Sequence, residues 1–189
     1  MATRRALGVA AVAVVVGVAT LVVPLTVDAG LFRTGEARAR FLAVGNRGVR
    51  VVGRTSTLWV SDNGKVITVM VPLASLRTGI GLRDRHLRDK YLHASRYPDI
   101  RLDVPWSAVR RPPAGDTVAA EAVGLLHLHG RARPVPFTYV AHDEGGAIAV
   151  EGKLRLDLRD FGVEVPGFLG IRLHPQVDAV ARFRVTESR

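Results

Sequence analysis

Two groups of polar residues in this sequence have the types and spacing for chemistry. The first is Arg83, Asp84 and His86, within a run of charges of both signs between Gly81 and Ala94. Arginine with a nearby histidine can receive a phosphate or another polar head group. An aspartate in a first helical turn instead complements the free N–H groups and the positive dipole of the helix end. The trio therefore has a ligand-facing reading and a structural one, in which it caps a helix and pins it in place. The second group is His127-x-His129, with Glu121 on the same side of an alternating stretch. Two imidazoles and a carboxylate can hold a metal ion. A hydrogen bond at the end of a strand is the simpler role for His129.

Other chemistries are poorly served. Nucleophile elbows, P-loops, dinucleotide fingerprints and HExxH helices are missing from the sequence, so catalysis is not expected. With Cys 0, there are no disulfides, thiolate metal sites, cysteine nucleophiles or lipidated cysteine. The net charge is +10, and all of the 27 basic residues except Lys65, Lys90 and Lys153 are arginine. That balance permits contact with an anionic membrane surface. The cations are scattered, however, with no run of five or six, which reads as a solvated surface. Nucleic-acid binding would need a basic stripe with stacking aromatics and is not expected.

The elements that must carry these residues are mostly strands. Residues 1–29 stand apart. Arg4 and Arg5 precede an uncharged apolar run over 6–27, and Val27-Asp28-Ala29 offers a cleavage site. This is an export signal, or an N-terminal membrane anchor if retained, since the run is long enough to span a bilayer. Residues 30–36 read as a polar linker and 37–189 as one barrel-sized domain.

From residue 37 onward the apolar residues recur with a period of two. Ala37, Ala39, Phe41 and Ala43 share a face opposite Arg38 and Arg40. Short strands follow over 49–52, 55–60 and 66–71, with a turn at Asp62-Asn63-Gly64, where Asn-Gly accepts positive φ at low cost. Residues 81–94 form a short helical crossing between strands, stopped at Tyr97-Pro98 because the residue before proline prefers extended geometry. Residues 117–128, 135–141, 148–158 and 176–186 complete the strands. The stretch 161–175 is an apolar loop that serves as a lid, a membrane-touching tip or ordinary packing. Each strand has one wet and one dry face, which predicts an all-β antiparallel barrel or sandwich. The dry faces are rich in alanine and glycine (Ala39, Ala43, Ala120, Ala122, Gly124, Gly152, Ala179, Ala181). Small side chains either leave a cavity or pack tightly against Phe41, Phe137, Tyr139 and Phe183.

Four motifs in order resemble the YceI-like polyisoprenoid-binding family. They are SLRTG with RDRHL and RYPDIRL over 75–102, GLLHLHG over 124–130, Arg133-Pro134-Val135, and LDLRDFGV over 156–163. His127 stands where that family usually has a hydroxyl residue. The resemblance implies an extended, lipocalin-like antiparallel barrel around an apolar cavity. It also implies a periplasmic or secreted protein that binds, carries or sequesters an amphiphile with a long isoprenoid or acyl chain. No cofactor other than such a lipid is expected, and a homodimer is allowed. The cavity lining expected on this basis is Phe41, Ala120, Ala122, Leu126, Phe137, Tyr139, Ile148, Val150, Leu154, Leu156, Ala179, Ala181 and Phe183, with Arg83, Asp84 and His86 at the mouth. The alternative is a structural or partner-binding barrel with a filled core.

Overall fold

The computed structural model describes residues 30–168 and 170–187; residues 1–29, where an export signal is expected, lie outside the described residues. The strands are β1 (Leu31–Gly45), β2 (Arg50–Thr55), β3 (Trp59–Asp62), β4 (Val66–Pro72) and β5 (Asp99–Pro105), then β6 (Thr117–Leu128), β7 (Arg131–Asp143), β8 (Ile148–Asp157), β9 (Gly167–Phe168) and β10 (Ile171–Glu187). All pairings between them are antiparallel, in the order β2-β1-β10-β8-β7-β6-β5-β4-β3, with the short β9 on β10. The two edge strands, β2 and β3, are consecutive in the chain. β2 pairs with the second half of β1, while β3 pairs with β4 and packs near β1. One broken strand thus bridges the edges and curls the sheet into the expected extended barrel. The break falls at residues 56–58, where Leu58 turns into the core and is 1% exposed.

Small departures from the expected elements have local causes. Residues 31–34 are not a linker, because they pair with 184–187 of β10. A bulge between Thr34 and Arg38, with Gly35 at φ 61°, interrupts the pairing, and Arg33 and Gly35 at the alternate positions hide this strand from sequence reading. The crossing begins as α1 (Gly81–His86) and continues as a π-helical turn over Leu87–Tyr91. It ends at His93, whose φ of 46° leaves the helical region before Tyr97-Pro98 is reached. The apolar stretch 161–175 is only partly a loop. Its second half is the start of β10, with Ile171 paired to Phe168, and Phe161 and Val163 are buried. Leu169 lies outside the described residues.

The barrel has a packed end and an open end. Beneath α1, Leu73, Leu76, Leu92, Leu126, Leu128 and Phe161 form a buried cluster against which Leu87 and Tyr91 pack. At the other end lie the start of β1, the β3–β4 turn, residues 106–116, the β7–β8 turn and the end of β10.

Candidate functional site: an apolar cavity inside the barrel

Alternation along the strands sends one side chain in two to the interior. Register then decides how much of the interior they fill. Ala39, Ala181 and Gly152 lie at one level on the neighbouring strands β1, β10 and β8, and Tyr139 of β7 continues that row. Three small residues side by side cannot meet the opposite wall. A Cβ placed on Gly152 would find no atom within 4 Å. The result is a cavity of about 240 Å³.

Phe41, Leu126, Phe137, Tyr139, Ile148, Val150, Leu154, Ala179, Ala181 and Phe183 all line it. Ala120, Ala122 and Leu156 do not. The two alanines pack with Tyr139 and Ala141 in a separate cluster, and Leu156 packs into the cluster beneath α1. Their faces follow the alternation, but Ala120 and Ala122 pair with Tyr139 and Phe137, whose larger side chains line the cavity at those levels, and Leu156 stands one level past Leu154. Phe41 owes its position to Gly53, its direct partner on β2. A Cβ on Gly53 would lie 1.9 Å from the ring, so the ring rests on bare backbone.

The three polar residues expected at the mouth lie over the packed end, and none of them lines the cavity. Arg83 and Asp84 both turn onto Thr78. Asp84, buried, accepts from the Thr78 amide at 2.7 Å and from its hydroxyl, while Arg83 donates to the Thr78 hydroxyl at 2.8 Å and carbonyl at 2.6 Å. The Thr78 hydroxyl, outweighing the burial that opposes it, holds the Asp84 carboxyl below its ordinary 3.8; Arg77 and Arg88 add to this. The group is therefore the pin of the structural reading, fastening residues 76–80 to α1. His86 is exposed.

The two histidines of the metal reading do not converge. His127 faces outward, with Nε2 3.0 Å from Asp103 and 3.2 Å from Arg101. His129 is not on the strand. With Gly130 it forms the two-residue β6–β7 turn, at φ 51° and 74°, the geometry favoured between twisted strands. Its Nδ1 lies 3.2 Å from the Phe161 carbonyl and its Nε2 2.9 Å from His93 Nδ1. Among the described residues no group of three or more such ligands could hold a metal ion.

Sequence reasoning missed the lining at the open end, where Leu31, Trp106, Val109, Arg110 and Arg111 meet the cavity. Leu31 was hidden because Arg33 and Gly35 follow it at the alternate positions. The others stand in or beside irregular chain, which has no period from which an inward face can be read. The RRPP sequence signalled only a loop.

A curved antiparallel barrel, plugged by a short helix at one end and apolar within, places the chain among the hollow lipocalin-like barrels. It belongs to the YceI-like family, whose domain model matches residues 26–183. Among solved structures it is similar to a polyisoprenoid binding domain from Saccharophagus degradans implicated in plant cell wall breakdown. The TM-score is 0.72 at 18% identity, covering 85% of this chain and 99% of that one. BcnA of Burkholderia cenocepacia follows at TM-score 0.59 and 19% identity, covering 78% of this chain and 96% of that one. The YCEI protein of Campylobacter jejuni gives 0.51 at 16%, covering 72% and 85%. At these identities the likeness establishes the fold alone. No curated protein matches the chain.

Proposed function

We propose that this protein is a non-enzymatic carrier or sequestering protein for an amphiphile with a long isoprenoid or acyl chain, working outside the cytoplasm and without a cofactor. One observation carries the reading: a cavity walled by apolar side chains runs inside the barrel, and its width comes from in-register small residues. A hydrocarbon tail needs little more than such a wall, since each buried methylene contributes about 0.8 kcal/mol. Family membership supports a lipid guest, and the arginine-led apolar leader supports export.

The first test is mass spectrometry of organic extracts from protein purified out of a membrane-containing bacterial host. A stoichiometric isoprenoid or acyl species is expected. The matching variant is Gly152→Leu, which adds a side chain where nothing stands within 4 Å and so fills the cavity without a backbone clash. It should keep the wild-type fold by circular dichroism and lose the lipid. An empty wild-type extract, or a variant that carries lipid as before, would count against the cavity as the binding site.

A further inference from the structure

The cavity wall is apolar except at one end. We propose that Arg110 forms a seat there for an anionic head group, with Arg111, paired to Glu187, beside it. The preferred guest is then a long-chain phosphate or carboxylate, lying with its tail toward α1. This rests on the reading of the cavity as a lipid site.

Four cations border the cavity: Arg40, Arg110, Arg111 and Lys153. Arg40 and Lys153 are both register partners of Val180, on the outward set of their strands, and Lys153 Nζ lies 2.7 Å from Glu151. They do not address the interior. Arg110 and Arg111 follow the helical turn at Trp106–Ala108, and the Tyr139 hydroxyl reaches the first of them. It accepts from the Arg110 amide at 2.7 Å and keeps its own proton to donate.

Four of the carboxylates at this end are already engaged, Glu144 by Arg184 among them. Asp62 accepts from Trp106 Nε1 at 2.9 Å, the Gly64 amide at 2.7 Å and the Leu31 amide at 3.3 Å. Asp143 accepts from the Gly115 amide at 2.8 Å, and Glu187 pairs with Arg111. Among the described residues no ion pair uses Arg110. A cation without a carboxylate, beside a hydroxyl with a proton to give, at the rim of an apolar tunnel, suits an oxyanion on a hydrocarbon tail. At the packed end Arg83 is committed to Thr78, so the polarity of the cavity has one direction.

The test measures binding by the fluorescence of Trp106, which lines the cavity, in a Trp59→Phe background. The probes are geranylgeranyl phosphate against geranylgeraniol, and oleate against oleyl alcohol. In at least one pair the anion should bind about tenfold more tightly than its alcohol at low salt, and the gap should narrow at high salt. In Arg110→Gln/Arg111→Gln the gap should close while the alcohol binds as before, which also shows that the barrel has folded. Arg110→Lys should keep most of it. Equal binding of anion and alcohol to the wild type overturns the head-group seat but leaves the lipid cavity standing. So does a gap that survives in the double variant. If no probe of either kind binds, the cavity reading fails, and the seat with it.

Discussion

At the scale of single residues, two glycines do opposite things inside the same barrel. Gly152 leaves space that nothing occupies, while Gly53 is space already taken by the ring of Phe41. Gly53→Ala should therefore cost about 1–3 kcal/mol through a displaced ring, read as a lower urea midpoint with an unchanged slope. A midpoint equal to the wild type would mean that Phe41 swings aside freely and that its position is not fixed by β2. Residue identity alone could not separate the two glycines. Alternation correctly turned Phe41, Phe137, Tyr139 and Phe183 inward, because a period of two is a local property of the chain. Whether an inward glycine faces a ring or a void depends on partners far away in sequence. The same limit hid Arg110 and Arg111, which are tied to a hydroxyl on β7 and a carboxylate on β10 respectively.

At the scale of elements, α1 and its π-helical turn act as a plug, held by apolar packing below and by the Thr78 pin at its start. Losing the Asp84 carboxylate leaves the Thr78 amide without its acceptor. Asp84→Ala should cost about 2–3 kcal/mol, and Asp84→Asn less, because the amide oxygen still accepts. Hydrogen exchange should rise over residues 78–92 before it rises in the strands. A uniform rise across the whole sheet would show that the plug and barrel open as one unit. The existence of this crossing was legible from its glycines and its mixed charges. Its end, expected at 94, is close to the observed one, but on the wrong signal: Tyr97-Pro98 looked like the stop and His93 provides it. The 31–34 strand was illegible: the two-residue bulge on β1 keeps the phase, but Arg33 and Gly35 stand at the alternate positions between the buried Leu31 and Ala37, so no apolar run announces it.

At the scale of the whole molecule, the outer face carries ion pairs that tie strands together. Glu151 is held below its ordinary range by Lys153 and Arg182, Asp178 by Arg155, and Glu144 by Arg184. Asp157 is held down by Arg159 and receives Gln176 of β10 as well. Each lowered carboxyl favours the folded state at pH above its ordinary value, 3.8 for Asp and 4.5 for Glu. That contribution is lost as pH falls through the folded-state value. The melting temperature should therefore be nearly level from neutrality down to the carboxylate range and then drop. High salt should shrink the part due to the exposed pairs; a drop unaltered by salt would assign the acid sensitivity to the Asp84 pin instead. The pairing of Leu31 with Glu187 carries one more consequence. Both ends of the barrel chain emerge at the rim where Arg110 and Arg111 stand, and the helical end is free of either. If residues 1–29 are held in a membrane, this rim would face that bilayer. By the same geometry, an affinity tag at either terminus would stand in the doorway, and uptake should be measured only after its removal.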